Sequence, residues 1–93
     1  MKTKIKVRQM TSSKSGQPVA NQFIIYTNKG TYFQSYNSII AHKRAKDGQI
    51  FLDECYWDYS RTTSKYRGDY LGEYTAETRQ KIKEKKYKLT NLN

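Results

Sequence analysis

Cysteine, proline, histidine and tryptophan occur once each among the 93 residues, and each scarcity removes a class of structure or chemistry. A lone Cys55 cannot close an intramolecular disulfide, and with His42 as the only imidazole no Cys/His zinc cluster can be assembled. Pro18 and 5 glycines are too few for a low-complexity linker, so residues 1–93 are expected to form a single domain. No apolar run approaches the roughly 18 residues that span a bilayer. The opening MKTKIKVRQM is basic but has no apolar stretch of the secretory kind, so a soluble, non-membrane protein with a reduced, half-buried Cys55 is expected.

Aliphatic material is also short. Hydrophobic residues make up 35% of the chain and 9 of them are tyrosines, so ring faces must supply much of a small core. Acid is missing from the whole first half: residues 1–46 carry nine Lys or Arg and no Asp or Glu. Residues 47–74 then carry three basic and six acidic side chains, and residues 75–93 six basic and two acidic. The net +10 is therefore segregated, which suits a phosphate backbone or an acidic protein partner.

What is present reads as an α+β chain. KIKVRQM alternates with period 2, which predicts a strand with Ile5 and Val7 inward and Lys4, Lys6 and Arg8 outward. The Ser-rich stretch 11–21 predicts a loop. QFIIYT and TYFQSY flank NKG, where Gly30 supplies the positive φ of a hairpin turn. SIIAHKR and QIFLDE flank AKDG as a second hairpin, with Ile40 and His42 on one face and Ile39, Ala41 and Lys43 on the other. Tyr66 and Tyr70 at i, i+4, with Ser60 or Thr62 to cap and Gly72 to terminate, predict a short helix, although Gly68 within it costs about 1 kcal/mol relative to Ala. TAETRQKIKEKKY predicts a second helix with Thr75 as N-cap, and YKLTNL a closing strand. The expected fold is a small antiparallel sheet of four to six strands, with two hairpins, followed by two short helices.

The chemistry is read from the same residues. There is no glycine-rich phosphate loop, dinucleotide fingerprint or convincing acidic constellation, and a Cys55/His42 pair across the second hairpin is weak against simple packing. No enzyme activity, metal or cofactor is expected. The segment YWDYSRTTSKYRGDY concentrates four tyrosines, the tryptophan and three basic residues. Rings stack on bases at about 1–3 kcal/mol each and cations neutralise phosphate. The candidate nucleic-acid contacts are Lys4, Lys6, Arg8, Tyr32, Tyr36, Arg61, Lys65, Tyr66 and Arg67. Against this, Trp57, Tyr59, Tyr66 and Tyr70 also suit a role gluing the helix to the sheet.

The blocks VRQMTSSKSGQPVANQFIIYTNKGTYFQSYNSIIA, LDECYWDYSRTTSKYRGDYLGE and YKLTNLN resemble a family of short, functionally uncharacterised proteins of phages and bacterial mobile elements. YFQSYNSIIA and YWDYSRTTSKYR carry the likeness most specifically. The resemblance implies a bacterial cytoplasmic setting and an accessory role, and assigns no site residue. The expected function is nucleic-acid binding through a basic, tyrosine-rich surface. The alternative is a protein-binding inhibitor of a host defence or nucleic-acid-processing factor.

Overall fold

The computed structural model describes residues 5–12 and 14–93. Five strands, β1 (Lys6–Thr11), β2 (Pro18–Thr27), β3 (Gly30–Ser35), β4 (Ser38–Arg44) and β5 (Ile50–Asp53), run as an antiparallel meander. Two helices follow, α1 (Arg61–Leu71) and α2 (Thr75–Lys83), and β6 (Tyr87–Thr90) closes the sheet beside β5. The fold is α+β, as the periodicity predicts, with one departure. β6 pairs parallel to β5, so the two helices form the crossover that a parallel neighbour requires.

Both hairpins form where the turn residues place them. Gly30 has φ +129°, and a Cβ there would lie 2.0 Å from the Lys43 carbonyl oxygen, so the turn needs glycine for space as well as for angle. The Ser-rich loop is shorter than expected, because β1 continues to Thr11 and β2 begins at Pro18. A register shift between Phe33 and Gln34 breaks the expected alternation in β4. Ala41 and Ile40 are both buried around Phe33, while Ile39 joins Gln34 on the opposite face.

Met10, Phe33, Ile40, Ala41, Leu52 and Tyr66 form the buried core between the sheet and α1. The larger of these side chains contribute about 1.5–3 kcal/mol of burial each and Ala41 less, so the core is modest and the helices need polar ties as well. Ser60 caps α1 by accepting from Thr63 N at 3.1 Å, and Gly72 ends it in the left-handed region at φ 72°. Gly68 is explained by space: a Cβ there would lie 2.8 Å from the Glu73 carbonyl oxygen, where the chain folds back into α2. The N-cap of α2 is Tyr74 and not Thr75, with Glu77 accepting from Tyr74 N at 3.3 Å. α2 also stops at Lys83, and Lys85 at φ 61° turns the chain into β6.

The strand reading of residues 6–10 is right in period and wrong in sense. Val7 pairs with Ile25 on the face that no helix covers and is 57% exposed, and Ile5 is exposed as well. Lys6 and Arg8 pair with Tyr26 and Ile24 and project on the helix side. β1 is an edge strand that reaches the core only at Met10, so Val7 near its start is left on the uncovered face.

Candidate nucleic-acid interface

α1 lies across the helix side of the sheet, and each of its ends borders a tyrosine-lined groove. At its N-terminal end the buried Thr63 hydroxyl meets Ser35 Oγ at 2.9 Å, which pins the first turn to the end of β3. That anchorage leaves Arg61 and Lys65, one turn apart, exposed on the outer surface. Beside them a groove of about 540 Å³ is lined by Tyr36, Asn37, Tyr56, Tyr59 and Thr62. Tyr56 and Tyr59 meet edge to face at 5.7 Å, and Tyr59 is 65% exposed. Tyr36 is exposed too, held at φ 55° by its N–H donating to the Asn21 carbonyl at 2.7 Å.

Asp53 organises this end from beneath. Its buried carboxylate accepts from the backbone N–H groups of Cys55 (3.0 Å), Tyr56 (2.9 Å) and Leu92 (2.8 Å) and from Asn93 Nδ2 (3.0 Å). Burial pushes its pKa up, but these four donors outweigh it and hold the group below the usual carboxylate range. The loop carrying Tyr56 and Tyr59 is thereby fixed to β5. Cys55, expected half-buried, is exposed on the same loop.

At the other end of α1, cross-strand register builds a row over all six strands: Lys6, Tyr26, Thr31, Lys43, Ile50 and Tyr87. Tyr70 stands over this row, donating to the Thr31 carbonyl at 3.1 Å while its oxygen lies 2.6 Å from the Thr31 hydroxyl. Its ring stacks on Phe33 with centroids 5.8 Å apart, and burial raises its pKa. Tyr26, Lys43, Tyr70, Leu71 and Tyr87 line a groove of about 760 Å³. Tyr87 is held by Glu73, whose buried carboxylate also accepts from Thr78 Oγ1 at 2.6 Å and Lys81 Nζ at 2.9 Å. Burial and then the hydrogen bond to Glu73 push the Tyr87 phenol up to about 12.

The candidate residues separate into four groups. Lys6, Arg8, Arg61 and Lys65 are exposed on the helix side, and Tyr36 lies with Tyr59 at the N-terminal groove. Tyr32 lies on the other face of the sheet, its ring stacked on His42 at 4.1 Å. Tyr66 and Arg67 are corrections: they are 7% and 0% exposed and belong to the interior. Tyr66 joins the core, and the Arg67 guanidinium donates to the Trp57 carbonyl and to Thr75 Oγ1 (2.8 Å) while lying 5.1 Å from the Trp57 ring centroid. Lys4 lies outside the described residues.

Sequence reasoning missed Tyr26, Lys43 and Tyr87. Counting back from the NKG turn pairs Tyr26 with Thr31, and that register was the available signal. Tyr87 and Lys43 meet only through the parallel closure, which no local pattern announces. Among the described residues no group of three or more His, Cys, Asp or Glu could hold a metal, and no helix is long and apolar enough to cross a membrane.

With this geometry in place, comparison with known proteins adds one result: residues 5–87 match the family model described as a family of unknown function, DUF8033. The chain belongs to the DUF8033 family. No curated protein and no solved structure matches it. For this DUF8033 chain the side-chain geometry must therefore carry the functional reading, and the cations on the helix side of the sheet are its clearest feature. Among the described residues Lys6, Arg8, Lys43, Arg61 and Lys65 form no salt bridge, and all project from the helix side.

Proposed function

We propose that this DUF8033 protein is a non-enzymatic nucleic-acid-binding module, serving a phage or bacterial mobile element in the cytoplasm of its host. The observation that carries the reading is the set of five unpaired cations on the helix side, interleaved with tyrosine-lined grooves at both ends of α1. Lys6 and Arg8 stand about 6.6 Å apart along β1, from a rise of about 3.3 Å per residue. That separation suits successive phosphates. Tyr26 and Tyr59 offer rings for stacking, while Lys43 draws the backbone toward the groove.

Fluorescence anisotropy against labelled single-stranded DNA, duplex DNA and RNA, titrated with salt, tests this. Five phosphate contacts predict a log–log salt slope of about −3.5 on a single strand and about −4.5 on duplex DNA. The double change Lys6→Ala/Arg8→Ala should flatten that slope by about 1.4 on a single strand. Lys88→Ala, on the opposite face, should leave it unchanged. Absence of saturable binding at physiological salt, or equal effects of all these variants, would reject the proposal.

One observation supports the alternative of a protein-binding inhibitor of a host factor. The cleft between α1 and α2, about 1010 Å³, mixes Asp58, Asp69 and Glu77 with Arg61, Lys65 and Arg79. Tyr74 at its rim is 82% exposed. Mixed charge around an exposed aromatic suits a protein surface better than phosphate. Loss of partner capture from host lysate in Tyr74→Ala, with nucleic-acid affinity unchanged, would favour that reading.

A further inference from the structure

The face of the sheet opposite the helices has an apolar composition that an isolated, solvated face does not need. Register places Val7, Ile25, Tyr32, His42, Phe51 and Lys88 in one row across all six strands, with Phe23 and Ile39 flanking Gln34 in the next. The core contains six buried apolar side chains. Val7, Phe23, Ile25, Tyr32, Ile39 and Phe51 match that number on a face that no other described element covers. Antiparallel sheets with one face in water normally alternate to polar residues there.

The rings on this face are arranged against base stacking. Tyr32 and His42 lie 4.1 Å apart at 13°, and His42 and Phe51 lie 5.9 Å apart at 17°. Arg44 covers Phe51 with its guanidinium 5.1 Å from the ring centroid. The ring faces are thus occupied by one another, and edges point outward. Polar ends on the face are already satisfied: Gln9 Nε2 donates to the Val19 carbonyl and Gln34 Nε2 to the Tyr36 carbonyl, both at 2.8 Å. Arg44 forms a two-pronged pair with Asp47 at 2.9 and 2.6 Å.

We infer that this face is a self-association surface and that its occupant is a second copy of the chain, related by a two-fold axis. Charge selects that occupant. Lys6, Arg8, Lys43, Arg61 and Lys65 leave from the other side, and strand register places only Lys88 and the Asp47-paired Arg44 on this one, so two chains of net charge +10 can bring weakly charged faces together. Among the described strand residues, an acidic partner would find Lys88 and the already paired Arg44 on this face. Size agrees: six strands at about 4.8 Å spacing and about 20 Å of strand length give roughly 600 Å² in projection. Accessible area exceeds projected area, which brings the face to about the 800 Å² per partner of a standard interface. The product is a sandwich of two sheets about 10 Å apart, with a basic, tyrosine-grooved surface on each outer side.

Sedimentation velocity at physiological salt, over about 1–200 μM, tests the inference. The wild-type protein should sediment at twice the 11.0 kDa of one chain at the upper concentrations. Ile25→Glu, in the middle of the row, should weaken association at least 100-fold. Val7→Glu lies on the exposed edge strand, where folding does not depend on it, and should weaken association at least 10-fold with an unchanged circular dichroism spectrum. Lys6→Glu, on the same strand but the other face, should not change the mass. A folded wild-type chain that stays monomeric throughout overturns the inference, and so does a dimer that both Val7→Glu and Ile25→Glu leave intact. Should Ile25→Glu unfold the chain, Val7→Glu alone decides.

Discussion

Replacing Arg67 by alanine separates an internal tie from a ligand contact. Its guanidinium is wholly enclosed and joins three elements: it donates to the Trp57 carbonyl, to Thr75 Oγ1 at the start of α2, and stands 3.7 Å from Asp58. Burial lowers its pKa, Asp58 opposes that, and the group stays charged because an arginine begins so high. Removing it leaves a carbonyl and a hydroxyl without their donor, and Asp58 with the Ser64 hydroxyl at 2.9 Å and with Arg79, 3.2 Å away, as its remaining cation. Hydrogen bonds to a charged group are worth about 1.5–3 kcal/mol each, and breaking a buried charged cluster costs about 3–5 kcal/mol. Unfolding entropy of about 2.1 cal/mol/K per residue over 93 residues converts 1 kcal/mol into about 5 °C. Thermal denaturation followed by circular dichroism should therefore show Arg67→Ala melting about 15–25 °C below the wild type. Arg67→Met, which keeps most of the volume, should recover part of the loss. Lys65→Ala, fully on the surface, should stay within about 0.5 kcal/mol. An Arg67→Ala protein that melts within 3 °C of the wild type yet loses nucleic-acid binding would refute this reasoning and return the residue to the surface.

Two further changes probe the packing of α1 and α2. Gly68→Ala should destabilise by about 1–2 kcal/mol, because the gain of about 1 kcal/mol in helix propensity is outweighed by a Cβ 2.8 Å from the Glu73 carbonyl oxygen; a raised melting temperature would contradict that contact. Glu73 has a folded pKa below its ordinary 4.5, since the donors Thr78, Tyr87 and Lys81 outweigh burial. Its contribution is intact above that value and disappears as pH falls through the lower folded one, so the stability gap between wild type and Glu73→Gln, about 2 kcal/mol at neutral pH, should close as pH falls below about 4. Tyr87 runs the opposite way. With its phenol raised to about 12, it supports the fold below pH 10 and ceases to do so as pH rises toward 12, which urea denaturation in alkaline buffers would register.

Much of the fold was legible locally. Gly30, the AKDG turn, the Ser60 cap and the Gly72 terminator each act within a few residues, and each appears in the structure where the pattern placed it. What failed was what depends on distant partners. Alternation in residues 5–8 revealed two faces of β1 but not which face the helices would cover, since that choice belongs to α1. The bulge at Ile40 reversed part of β4 because one extra residue opposite Phe33 shifts the side-chain alternation, and β6 was readable as a strand but not as a parallel one. The candidate site shows the same division. Lys6 and Arg8 were marked as outward cations by the alternation of their strand, and Arg61 and Lys65 by their place in the aromatic-basic segment, whereas Arg67 of that same segment was drawn inside by the Trp57 carbonyl and Thr75, neither of which its local sequence singles out.

The parallel closure of the sheet also orders events during folding. Strands β1 to β5 meet their neighbours through short connections, so each hairpin closes a small loop at little entropic cost. Ile50 and Tyr87 are register partners across a crossover that contains both helices, the longest loop the sheet has to close. The meander is therefore expected to assemble early and the crossover late, with the barrier to folding at the docking of α1, α2 and β6. Until then the Phe33 side of the sheet is as bare as its opposite face. For that interval the chain is a two-faced apolar ribbon, and the acidic middle segment, packed against a basic meander, is the part that ends it.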